Sequence, residues 1–237
     1  MVKHSKRYNI AIADIEEDKS YSVEQAIDLI KDSATAKFDE TVELHLRTGA
    51  DPKHADQMVR GVVILPNGLG KTVSSLVFCQ GDAMQAAKDA GADYVGNDDL
   101  IEKIESGWTD FDVSIATPDM MGKIGKLGPI LGRKGLMPNP RTGTVVSSED
   151  IPRAVEESKK GRLEFKIDKS SIIHSLIGKA SFDNDKLIDN MAVLIDAILS
   201  QRPSGVKGEF IKSAYMTTTM GPSVSLEVAS VMSLTVK

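Results

Sequence analysis

Residues 72–119 read TVSSLVFCQGDAMQAAKDAGADYVGNDDLIEKIESGWTDFDVSIATPD, and their reading decides the fold. Thr72–Gly81 is a short apolar run rich in β-branched and aromatic residues, the pattern of a buried strand. Asp82–Gly91 is Ala-rich and stops at a glycine, which suits a helix. Ala92–Gly96 reads as a second short strand, Asn97–Trp108 as a second helix and Phe111–Asp119 as a third strand. Strand–helix–strand alternation at this spacing predicts a small parallel sheet covered by helices.

On the amino-terminal side the pattern changes at Pro66–Gly70, PNGLG, a turn cluster that marks a domain boundary. Upstream, Ser22 and Gln25 have capping-box spacing and open an amphipathic helix, VEQAIDLIKDSA. Glu40–Gly49, ETVELHLRTG, alternates polar and apolar residues as a half-buried strand does. His54–Arg60 suits a short helix and Gly61–Pro66 a strand. From Val155 onward this first style returns. Arg162–Asp168 reads as a strand and Asn184–Pro203 as a long helix stopped by proline. AYMTTTM and SVSLEVAS read as strands flanking Met220–Ser223. The prediction is an α+β domain built from both chain ends, residues 1–68 plus 160–237, with an α/β domain of residues 69–159 inserted in it. Two chain crossings at one boundary permit a hinge.

Gly122–Thr144, GKIGKLGPILGRKGLMPNPRTGT, holds six glycines and three prolines but no acid. Its cations are Lys123, Lys126, Arg133, Lys134 and Arg141. The composition predicts neither helix nor strand but a shaped basic loop. Such a loop either contacts an anionic backbone or merely connects elements of the inserted domain.

Composition excludes several classes. At 41% hydrophobic and 27% charged residues, the chain can bury a core. No apolar run approaches the ~20 residues of a membrane span, and the amino terminus lacks a secretory apolar core, so a cytoplasmic protein is expected. Aromatics are 5%, too few for recognition dominated by base stacking. Cys79 stands alone, which leaves no internal disulfide and no cysteine-based zinc site; it reads as a small core hydrophobe. The net charge of −5 weakens nonspecific attraction to nucleic acid, but charge is segregated. Residues 82–119 carry ten acids against Lys88 and Lys103, whereas residues 120–160 carry eight bases against four acids.

No motif supports catalysis. Gly68–Thr72 resembles the end of a phosphate-binding loop, but Leu65 occupies the first glycine position and the segment precedes a strand instead of following one. His4, His45, His54 and His174 show no metal-ligand spacing on one helix. His54 beside Asp56 suits a cap, and the others read as isolated. Met220 suits packing on a base, Gly221 a close backbone approach and the Thr217–Thr219 hydroxyls ribose or phosphate oxygens, against an ordinary Thr-rich hairpin. Phe165–Phe182, with Lys166, Lys169 and Lys179, reads either as a phosphate-contacting edge or as a solvated turn.

Together KFDETVEL (37–44), DPKHADQMVRG (51–61), GPILGRKGLMPNPRTGT (128–144), GKASF (178–182) and YMTTTMGPS (215–223) resemble the bacterial ribosomal protein L-one family of the large-subunit side stalk. The resemblance spans nearly the whole chain. It implies an α+β discontinuous domain (split β-α-β, antiparallel sheet with helices) carrying an inserted α/β Rossmann-like three-layer domain. It implies binding of large-subunit ribosomal RNA through Lys37, Phe38, Thr41, Glu43, Asp168, Lys169, Ser213, Thr219, Met220 and Gly221. A secondary nucleic-acid contact would run through Lys123, Lys126, Arg133, Lys134 and Arg141. Further implied roles are release of deacylated exit-site tRNA and repression through the protein's own operon mRNA. The resemblance calls for a monomer off the ribosome, no membrane, no cofactor and no catalysis. The competing reading is a nucleotide- or cofactor-dependent enzyme using the inserted domain.

Overall fold

A computed structural model of the chain describes residues 5–16 and 19–235. Its contacts separate into two compact units. One consists of the chain up to Gly70 together with Leu163 onward; the other is Lys71–Arg162. In chain order the elements are α1 (Lys6–Ala13), α2 (Val23–Ser33), β1 (Thr41–Thr48) and β2 (Arg60–Ile64). Then come β3 (Ser75–Phe78), α3 (Ala83–Asp89), β4 (Tyr94–Gly96), α4 (Asp98–Glu105) and β5 (Val113–Ala116). They are followed by α5 (Met121–Ile124), α6 (Gly128–Lys134) and α7 (Ile151–Lys159). The chain returns through β6 (Arg162–Lys166), β7 (Ile172–Lys179), α8 (Asn184–Ser200), β8 (Ile211–Thr218), β9 (Val224–Leu226) and α9 (Val228–Met232).

The first unit is built on an antiparallel sheet in the order β7-β1-β8-β9. Alternation in β1 buries Val42, Leu44, Leu46 and Thr48 and turns Thr41, Glu43, His45 and Arg47 to the other face. α2 starts where the Ser22 hydroxyl accepts the Gln25 N–H, and it buries Val23, Ala26, Ile27 and Ile30. α8 buries Leu187, Met191, Leu194, Ile195 and Ile198. Burial of each such side chain contributes about 1.5–3 kcal/mol, against about 1 kcal/mol for a cap, so the apolar stripe and not the cap decides these helices. β2 and β6 form a separate pair, over which Gly61 lies so close to the Phe165 ring that a Cβ would fall 2.6 Å from Cζ.

Asn190 on α8 is fully buried and fully bonded. Its amide donates to Ile177 O at 2.8 Å and Gly68 O at 3.0 Å, and its Oδ1 accepts the Asn67 N–H at 3.0 Å. The PNGLG turn is thereby pinned to the core of its own unit.

The second unit has a parallel sheet in the order β4-β3-β5. Every residue of β3 is buried, because the strand has a core on each side. Leu76 and Phe78 pack with residues of α4, α5 and α6, including Ile104, Ile124 and Leu131. Val77 and Cys79 pack with residues of α3 and α7, including Ala87 and Val155.

Several expectations need correction. The segment Gly122–Thr144 is not a loop in its first half: α5, a 3-10 turn at Gly125–Leu127 and α6 follow one another. Met120, Ile124, Leu127 and Leu131 recur at helical spacing and are all fully buried. Gly122, Gly125, Gly128 and Gly132 face open space. Each exposed helical glycine costs about 1 kcal/mol, less than burial of one apolar side chain returns. Pro129 falls in the first turn, where its missing N–H is harmless, and Gly135 ends the helix at φ +72°. The second half, Leu136–Thr144, does keep loop character, tied by Asn139 to Arg141 and Thr144.

His54–Arg60 holds only a 3-10 turn, Ala55–Gln57, and His54 makes no capping bond. The carboxyl-terminal run SVSLEVAS yields a three-residue strand, with Val228 opening α9. Ile172–Lys179 is a strand and not a solvated turn. α1 has no counterpart in the sequence pattern.

Candidate nucleic-acid interface

The ten residues implied for RNA contact all lie in the first unit, at the two ends of β1. Lys37 and Phe38 precede β1; both are exposed, Phe38 to 54%. Beside them runs the turn after β8. The Thr41 N–H donates to Thr219 Oγ1 at 3.0 Å, and the Thr219 N–H donates to Thr41 O at 3.1 Å. Met220 is 50% exposed on this turn. Two large apolar side chains are thus half in solvent at one end of the sheet. Lys179 Nζ donates to Thr41 Oγ1 at 2.8 Å and adds a cation there.

Gly221 packs closely against its own unit. Its φ is not in the left-handed range, and a Cβ there would collide with Thr218 Oγ1 and lie 3.3 Å from Ser33 Oγ. Packing inside the unit already requires the glycine.

At the far end of β1, Arg47 lies opposite Ser213 on β8 and Ile172 on β7. Asp168 precedes β7 in a tight turn, its Oδ1 accepting the N–H groups of Ser170 and Ile172, each at 2.8 Å. The Ile172 N–H foremost, against partial burial, holds the Asp168 carboxyl below the usual carboxylate range. Ser171 takes φ +66° in the same turn, and Lys169 stands exposed beside it. From Thr41 to Arg47 is about 20 Å at strand rise, so the implied contacts form two clusters on one sheet.

Between them lie residues that pattern reading missed. His45 and His174 face each other across β1 and β7 with Nδ1 atoms 2.8 Å apart. His45 Nε2 is 3.7 Å from Glu43 and His174 Nε2 is 3.6 Å from Asp168. These histidines are therefore a pair, not isolated residues. Burial first, then the His174 neighbour, pushes the His45 imidazole down, against the pull of Glu43. Tyr215 lies opposite His45 on β8, 42% exposed. Alternation in ETVELHLRTG puts Glu43, His45 and Arg47 on one face, but the match of β7 to β1 is a long-range register that no local pattern carries. His4 lies outside the described residues.

In the second unit, Lys126, Arg133 and Arg141 are exposed with no ion pair among the described residues. Lys123 pairs with Asp98 at 2.9 Å, and Lys134 donates to Thr109. Lys71 is held by Asp112 at 2.5 Å. Among the described residues no group of three or more His, Cys, Asp or Glu side chains is placed to hold a metal ion, and no helix is long and apolar enough to cross a membrane.

The Ribosomal protein L1p/L10e family matches residues 30–222. The chain is 56% identical over 234 residues to the large ribosomal subunit protein uL1 of Dehalococcoides mccartyi, covering 99% of each. It is 53% identical over 236 residues to uL1 of Persephonella marina, covering 98% of this chain and 97% of that protein. It is 51% identical over 235 residues to uL1 of Chloroflexus aggregans, covering 99% of each.

Proposed function

The chain belongs to the ribosomal protein L1p/L10e family, and from that premise we propose that it grips large-subunit ribosomal RNA with the sheet of its first unit. It is a structural constituent of the large ribosomal subunit in the cytoplasm and not an enzyme. The observation that carries the RNA reading is the pair of half-exposed apolar side chains, Phe38 and Met220, beside the hydrogen bonds that tie Ala36, Thr41, Thr219 and Met220 together. Apolar faces suit stacking on bases, while the Thr41, Thr219 and Ser213 hydroxyls suit ribose and phosphate oxygens. Lys37, Lys169 and Lys179 supply cations for phosphates. Glu43 and Asp168 accept hydrogen bonds from ribose hydroxyls or base amines, and Gly221 lets the RNA backbone approach the turn closely.

The reading extends to a division of labour. Residues 1–68 plus 160–237 form the RNA platform, and residues 69–159 form an inserted lobe on a hinge, together a mobile side stalk. Lys123, Lys126, Arg133, Lys134 and Arg141 make the lobe's secondary contact, with ribosomal RNA or with tRNA leaving the exit site. The same platform binds the protein's own operon mRNA where that message copies the ribosomal site. Off the ribosome the chain is a monomer. Footprinting on purified large-subunit ribosomal RNA tests the central claim. One folded segment becomes protected, and Phe38→Ala raises the protein concentration needed for that protection; a chain that protects nothing overturns it.

A further inference from the structure

One carboxylate holds together two segments that lie 180 residues apart in the chain. Glu40 is 2% exposed. Its Oε1 accepts the Ala36 N–H at 3.0 Å and its Oε2 accepts the Met220 N–H at 2.9 Å. Ala36 is two residues before Phe38, so the two bonds end on the backbones that carry both half-exposed apolar side chains. The Thr41–Thr219 exchange closes the same junction on the other side of Glu40.

A buried charge is costly unless hydrogen bonds compensate it. Burial by itself would push the Glu40 carboxyl up, but the Met220 and Ala36 N–H groups hold it below the usual range, so it stays ionised. Charge-assisted bonds of this kind are about twice as strong as neutral ones. A fold needing only to fill the site would do so more cheaply with an apolar side chain. What the carboxylate adds is two acceptors aimed at two chain segments at once.

Ordering loops and side chains at the moment of binding subtracts from affinity. We propose that Glu40 is a positioning residue for RNA recognition, fixing Phe38 and Met220 in their bound geometry before RNA arrives. The inference rests on the reading of this sheet end as the RNA interface. Glu40 itself is too buried to touch RNA; it acts through Ala36 and Met220.

Glu40→Gln tests it in the full chain. Glutamine keeps the volume but has one acceptor oxygen, and its amide confronts one of the two N–H donors. Affinity for purified large-subunit ribosomal RNA, measured well below the melting temperature of each variant, falls about tenfold, the scale of one charge-assisted bond. In a double-mutant cycle the loss shrinks when Met220 is already alanine, because Glu40 works through that residue. A merely stabilising role would leave the affinity of the folded fraction unchanged and produce no such coupling. Should Glu40→Gln not fold, amide exchange in the unmodified protein decides. Ala36 and Met220 N–H groups are protected without RNA if Glu40 positions them, and free exchange of either overturns the proposal. Phe38→Ala and Met220→Ala separate the two readings. If both weaken binding and Glu40→Gln does not, the positioning role alone fails. If neither weakens binding, the interface reading fails and the role of Glu40 fails with it.

Discussion

His45 on β1 and His174 on β7 meet Nδ1 to Nδ1 at 2.8 Å, so one ring donates the only proton between them and the other accepts it. A second proton there would set two donors face to face. Glu43 and Asp168 lie at the outer nitrogens at 3.7 and 3.6 Å, too long for strong bonds, and Tyr215 opposes His45 from β8. The neutral state of at least one imidazole is therefore built into the packing of two strands.

That geometry sets a pH dependence. The His45 imidazole is pushed below its ordinary value, so it binds a proton less readily folded than unfolded. Its contribution to stability is present above the unfolded histidine range, about 6.5, and is lost as pH falls through it toward the folded value. Denaturant midpoints should decline between about pH 7 and pH 5, a window above the carboxylate range. His45→Gln should flatten that decline. An equal slope in both proteins would show that the pair does not govern it.

Asn190→Leu removes all three bonds of a fully buried amide and strands Ile177 O, Gly68 O and the Asn67 N–H. A buried group without a partner, such as Ile177 O, costs about 1–3 kcal/mol, and the part-buried Gly68 O and Asn67 N–H cost less because water can reach them, so a loss of about 2–4 kcal/mol in urea unfolding is expected. A loss under about 0.5 kcal/mol, the size of an ordinary surface change, would mean the turn finds other partners.

The contrast between β1 and β7 shows what local pattern can carry. Residues 40–49 alternate cleanly, and the strand runs Thr41–Thr48, because one face meets the core of the unit and the other meets solvent. α8 is legible for the same reason, because Leu187, Met191, Leu194, Ile195 and Ile198 recur on one buried face. β7, IIHSLIGK, carries three isoleucines and a leucine and so has strand propensity of its own, but the register that sets it against β1 is a long-range match. The candidate site divides likewise. Phe38, Thr219 and Met220 stand out by type, whereas Glu40, Asn190 and the histidine pair matter through partners more than 100 residues away.

The helical character of Gly128–Lys134 is open to a paired test. Gly132 lies inside α6 with open space where a methyl group would project, so Gly132→Ala should stabilise the protein by about 0.5–1 kcal/mol. Gly135 ends the helix at φ +72°, and Gly135→Ala should cost about 1–2 kcal/mol. Opposite signs from two glycines three residues apart follow only if the segment is a helix ending there; matching signs in thermal unfolding would return it to a loop.

Salt dependence separates the two surfaces proposed to touch RNA. Each phosphate neutralised by a cation adds about 0.7–0.9 to the slope of log affinity against log salt. Lys126, Arg133 and Arg141 are exposed and carry no ion pair among the described residues, so they can displace counterions from RNA phosphates without breaking an internal ion pair. Reversing all three to glutamate should flatten the slope by about 2–3 while the footprint of the first unit persists. Phe38→Ala should do the reverse, lowering affinity at every salt concentration with the slope unchanged, because an apolar stacking contact releases no counterions. With a net charge of −5 the chain has little diffuse attraction to fall back on, so each local change should register in full. A slope unaffected by the triple reversal would confine RNA contact to the sheet end around Phe38 and Met220.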